Sequence, residues 1–215
     1  AALPGRFVDA ASVPYESRVV VGDALRDILK TADAVSASLL ILGRHRERPI
    51  LDLFSSTTME KIVRAAVRPV LLVRDPATAP YRSVFAGVDF SPASAAALRW
   101  AARVAPSASI SAMHVYAIPF KGFLGEAEIS FPVREEAEAE LAAWRAGANL
   151  PDAVGEIALV EGSLAGAFES GRKTTAADLV AVGAHGRPTL SPTLLGGFTE
   201  ELLRDPPSDI LVVRR

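Results

Sequence analysis

The chain has 215 residues, half of them hydrophobic and 22% charged, with a formal net charge of −2. That balance suits one large or two small globular units able to bury a core, and it carries no basic footprint for DNA or RNA. Cysteine is absent, which excludes disulfides, thiolate chemistry and cysteine-based zinc sites and suits a cytoplasmic protein; no apolar run nears the roughly 20 residues of a membrane span, so no membrane association is expected.

Residues 1–17 mix small residues and two prolines without a clear period and read as loop. The β-branched run Arg18, Val19, Val20, Val21 is expected to be a short strand closed by Gly22. Asp23 is placed to cap a helix in which Leu25, Ile28, Leu29 and Ala32 fall at helical spacing, ending near Val35. The apolar run 39–42 reads as a strand buried on both faces, as in a parallel sheet. An arginine-rich loop at 43–54 follows, and Ser55, Ser56, Thr57 and Thr58 supply caps for a helix through Met59, Ile62, Val63 and Ala66. Pro69 precedes the strand Val70–Val73, and 75–80 (DPATAP) is the best linker in the chain.

From Arg82 the pattern restarts. Residues 83–88 read as a strand ending at Asp89, with Ser91 as cap and Pro92 opening an alanine-rich helix at 93–104. A strand at 110–116 leads into a long connection, 117–131. The helix expected at 132–146 turns Leu141 and Trp144 inward, and Glu135, Glu136, Glu138 and Glu140 form a solvated face. A strand at 156–160, a turn at Gly162 and a helix at 164–174 come next. The apolar run 179–182 then stops at Gly183, a loop with Gly186 follows, and Gly196 and Gly197 open a helix near Phe198. Ile210, Leu211, Val212 and Val213 make the last strand. Strands alternating with helices imply an α/β fold with doubly wound parallel sheets, five strands and four helices in the second unit and three and two in the first.

A shift of 140 positions (162 − 22) superposes the two units without a gap. It pairs Gly22 with Gly162, Leu39 with Leu179, Gly43 with Gly183 and His45 with His185. It continues through Glu60 with Glu200, Arg64 with Arg204 and Leu71 with Leu211. Such a register implies two copies of one domain: a partial first at 1–76, a linker at 77–80 and a complete second at 81–215. The counterpart of Tyr81 falls at 81 − 140 = −59, so the first copy lacks its first strands and helices here, and about 60 further residues are expected upstream.

These residues resemble the universal stress protein family in its tandem form. The nucleotide-binding branch of that family carries G-x2-G-x9-G-[S/T/N] after its fourth strand, and Gly183, Gly186 and Gly196 stand at this spacing, followed by GFTEELL. Asp89 in GVDFSPAS and the ending MHVY at 113–116 are also similar to the family. The resemblance implies an adenine-nucleotide site in the second copy. Val88 and Asp89 would lie at the base or ribose, and Val115 would line the base pocket. Gly183, Gly186, Gly196 and Gly197 would wrap the phosphates, with the helix start at Phe198 offering its positive end. The ligand would be ATP, with or without Mg2+, or another adenine nucleotide. Gly197 departs from the pattern: the family's hydroxyl is missing, while Pro188 and Pro192 remove two N–H donors, so binding is expected to be weakened rather than abolished.

The first copy keeps one of the three glycines, with Arg46 and Ser56 at the other positions, and is expected to bind no nucleotide; charge-based phosphate binding by Arg46 and Arg48 is the alternative. No metal-ligand cluster or nucleophile–base pair is recognisable, so at most slow ATP hydrolysis is expected. His114 reads as a satisfied core or rim residue, and Asp89 could also serve only as a helix cap. By the resemblance, Val70–Val73 and the strand of Ile210 to Val213 would meet as an intramolecular pseudo-dimer, and a homodimer is compatible with this. The function expected is stress-response regulation through a bound adenine nucleotide. The alternative is a nucleotide-independent interaction scaffold of the same fold.

Overall fold

The computed structural model describes residues 14–43, 58–118, 126–184 and 195–214. The second unit runs β3 (Ser83–Gly87), α3 (Pro92–Val104), β4 (Ser109–Tyr116), α4 (Glu126–Gly147), β5 (Val154–Glu161), α5 (Leu164–Thr174), β6 (Leu179–Gly183), α6 (Gly197–Arg204) and β7 (Asp209–Val213). Its five strands are parallel neighbours in the order β7-β6-β3-β4-β5. The first unit contributes α1 (Ala24–Ala34), β1 (Leu40–Gly43), α2 (Thr58–Ala65) and β2 (Val70–Val73), with β1 parallel to β2.

The two parallel blocks continue as one seven-stranded sheet, because β2 pairs with β7 antiparallel: Val70 faces Val212, Leu71 faces Leu211 and Leu72 faces Ile210. Leu71 thus lies opposite its own repeat counterpart. Alternation along these strands divides the seam between two cores. Leu71, Leu211 and Val213 join the core under α3 with Val84, Leu98, Ile110 and Leu179. Val70, Leu72, Ile210 and Val212 join the opposite core with α2 (Ile62, Val63), α5 (Phe168) and α6 (Leu202, Leu203). Arg64 of α2 reaches Glu200 of α6 at 2.6 Å. At the end of the seam the Tyr81 hydroxyl donates to Asp209 Oδ2 (2.5 Å) and the Arg74 amide to Oδ1 (2.8 Å). Burial, reinforced by the Asp209 hydrogen bond, pushes the Tyr81 phenol upward.

Local signals produced most elements as expected. Asp23 caps α1 by accepting from the Arg26 amide at 2.7 Å, and Ser91 caps α3 by accepting from Ser94 N at 3.1 Å. Ala93, Ala95, Ala96, Ala97 and Ala101 of α3 are buried, and their small side chains allow close approach. Three expectations are corrected. Strand β1 is the edge of the sheet rather than buried on both faces, and its Ile41 is exposed. Residues 18–21 form no strand, and Val19 and Val21 are almost fully exposed. Their repeat counterparts lie in β5, which pairs with β4, and the shift places no counterpart of β4 within the chain; an isolated segment has no ladder to join. Helix α4 begins at Glu126 rather than at Pro132, and the proline sits inside its second turn at the cost of one backbone hydrogen bond.

Candidate functional site

The chain leaves β3 for α3 on one face of the sheet and leaves β6 for α6 on the other, although β3 and β6 are neighbours. Open α/β sheets form their ligand crevice at such a switch point, beyond the carboxyl ends of the strands. Asp89 stands two residues past β3. Its Oδ1 accepts from the Ser91 amide at 3.0 Å and from the Ser91 hydroxyl at 2.5 Å, and Ser91 in turn caps α3. Asp89 therefore serves the cap through Ser91 instead of capping the helix itself.

Gly183 ends β6 directly against this turn. A Cβ there would come within 3.1 Å of Ala93 Cβ and of Ser94 N, tighter than most Cβ contacts, so glycine eases the close approach of β6 to the first turn of α3. The Thr199 hydroxyl donates to Gly183 O (3.1 Å) and the Gly196 amide to Ala184 O (3.0 Å), tying the start of α6 to the end of β6. Gly196 caps α6 without a side-chain oxygen. Gly197 is exposed and a Cβ would meet nothing within 4 Å. Phe198 turns its ring away to meet Phe168 edge-on at 4.9 Å, so its amide faces the helix start while its side chain belongs to the core.

A cleft of about 380 Å3 opens at Asp89, lined also by His114, Tyr116, Glu136 and Glu140. Val88 is buried beneath it in the α3 core. Val115 packs on the opposite face with the cluster around Phe85, Met113 and Phe168. The structure thus gathers Asp89, Gly183 and the start of α6 at the switch point, and puts His114 rather than Val115 in the cleft beside Asp89. Gly186, Pro188, Pro192, His185, His45, Arg46 and Arg48 lie outside the described residues. Among the described residues no three His, Asp or Glu side chains converge as for a metal ion, and no helix is long and apolar enough to cross a membrane.

Two features of the site were not read from the sequence. Glu136 and Glu140, expected on a solvated face, border the cleft together with His114 and Tyr116 of β4. Phe90 and Trp144 flank the Asp89 turn, and a ring contact between residues so far apart in the chain leaves no sequence signal.

The model of the universal stress protein family matches residues 6–74 and again residues 80–214. The chain belongs to the universal stress protein family. Two matched segments give it the tandem form of that family. Among solved structures it is similar to a putative universal stress protein from Pseudomonas aeruginosa UCBPP-PA14, at 19% identity and a TM-score of 0.66, over 90% of this chain and 69% of that one. A universal stress protein from Archaeoglobus fulgidus matches 90% of this chain and 66% of its own at 19% identity and a TM-score of 0.59. The chain therefore spans about two thirds of the length of these two structures. The universal stress protein UspA from Lactobacillus plantarum matches over its whole length and 64% of this chain, at 22% identity and a TM-score of 0.52. At these identities the likeness establishes the fold. None of the curated proteins matches the chain by sequence.

Proposed function

We propose that the second copy binds ATP or a related adenine nucleotide at the β3/β6 switch point and that the protein acts as a cytoplasmic stress-response regulator. The observation that carries this reading is the packing of Gly183 on the first turn of α3, with the Thr199 hydroxyl of α6 bonded to Gly183 O, which supports a site between the end of β3, where Asp89 stands, and the amide-bearing start of α6. Asp89 is an acceptor and suits the adenine amino group or a ribose hydroxyl, and Val88 backs it. The amides of Gly197 and Phe198, with the helix dipole behind them, suit phosphate. Gly183, Gly186 and Gly196 would let the chain approach the ligand closely, and Val115 would meet the base only from the far side of β4. In this reading the protein is a binder rather than an enzyme. The register that sets Leu71 against Leu211 supports treating the two copies as an intramolecular pseudo-dimer.

One observation favours a second reading, a nucleotide-independent scaffold. The need for glycine at 183 is met by packing alone, and the Gly196 amide is already bonded to Ala184 O. Equilibrium binding of labelled ATP separates the two. Wild-type protein is expected to bind, with Asp89→Ala roughly tenfold weaker. An absence of wild-type binding up to millimolar ATP would leave the scaffold reading standing.

A further inference from the structure

Phe90, the residue after Asp89, has its backbone in the left-handed region at φ 62°, which glycine adopts freely and a bulky side chain rarely does. Its ring contacts two others. It stacks on His114 with centroids 4.1 Å and planes 23° apart, and it meets Trp144 at 5.8 Å with planes tilted by 51°. Each of those rings also grips the backbone of the turn. His114 Nδ1 lies 2.8 Å from Val88 O; a carbonyl only accepts, so Nδ1 carries the proton and donates. Trp144 Nε1–H donates to Ser91 O at 3.3 Å. Val88, Phe90 and Ser91 are thereby fixed by β4 and α4, while Asp89 among them lines the cleft.

We propose that Phe90, held by its ring contacts with His114 and Trp144, is a positioning residue that holds the Asp89 carboxylate in its binding orientation. The proposal rests on the nucleotide reading above. Glycine at this position would relieve the backbone but release the turn, whereas the aromatic ring exchanges a strained φ for contacts with two other elements. A carboxylate already held in place loses less freedom when a ligand arrives, so the clamp acts on affinity rather than on ligand chemistry.

The test compares Phe90→Gly with Phe90→Tyr, which keeps the ring, at a temperature where both are fully folded. ATP should bind Phe90→Gly roughly tenfold more weakly than wild type and Phe90→Tyr as wild type does. Amide exchange at Ser91, whose N–H is bound to Asp89 Oδ1, should accelerate in Phe90→Gly beyond any change at the core amide of Leu98. A mere loss of stability would move both amides together. Wild-type affinity in Phe90→Gly, or a Ser91 rate that only tracks Leu98, overturns the clamp. If wild type itself binds no ATP, the nucleotide reading fails and the Ser91 rate alone decides: selective acceleration supports the clamp, and no selective change overturns it. Should Phe90→Gly not fold, Trp144→Phe replaces it, keeping a ring and losing the donor to Ser91 O. The same criteria then apply, with an expected loss in affinity of about threefold.

Discussion

A Cβ at Gly183 would press on Ala93 and Ser94 at 3.1 Å, whereas one at Gly197 meets open space. Both glycines stand in the same sequence motif, and their substitutions should behave oppositely. Gly183→Ala is expected to destabilise the protein by about 1–3 kcal/mol in urea unfolding, because β6 must move away from α3. Gly197→Ser should leave stability within about 0.5 kcal/mol. On the nucleotide reading it should also tighten ATP binding several-fold by restoring a hydroxyl beside the helix start, read by the same equilibrium binding. Asp89 and the glycines were legible at this scale because residue type and spacing carry them. Phe90 was not, because phenylalanine gives no signal for a left-handed backbone that only the flanking rings support.

Helices α1 and α3 were legible because their caps and apolar spacing are local, and Asp23 and Ser91 do what their positions imply. Residues 18–21 have the composition of a strand and form none, since a strand exists only with a neighbour to pair with. On α5 a local charge cluster gives a pH prediction. Glu169 is held down to about 2, first by its hydrogen bond to Arg172, which outweighs the opposing effect of burial, and then by Lys173. A carboxyl whose folded pKa is depressed contributes stability that is present above its unfolded value of 4.5 and is lost as pH falls towards 2. The group is about half exposed, so solvent screening keeps the effect small, about 0.5 kcal/mol or less. Glu169→Gln should lower the melting temperature slightly at pH 7, and the difference from wild type should shrink between pH 4.5 and pH 2.

At the scale of the molecule, the antiparallel seam between β2 and β7 turns two parallel blocks into one sheet with a core on each face. Leu211 is fully buried and lies opposite Leu71 at the centre of that seam. Leu211→Ala should cost about 2–5 kcal/mol. The loss should appear as one shifted transition in calorimetry, because Leu71 of the first copy and Leu211 of the second share the core it opens. Two separate transitions would show that the copies unfold independently. The Arg64–Glu200 pair, bridging α2 and α6, is half-exposed and adds little beside the apolar contacts around it.

The sequence by itself determined the repeat, the alternation of strands and helices, the glycine spacing and the family, since each rests on residue type and order along the chain. Only the tertiary structure decided how the parts meet. It joined the two copies through Leu71 and Leu211, packed Gly183 on α3 and placed Val115 on the face opposite His114. It also tied the Asp89 turn to Trp144, a residue of α4. The reason is physical: strand register, face and ring contact arise when distant segments compete for the same buried space, and no single segment of the chain records the outcome of that competition.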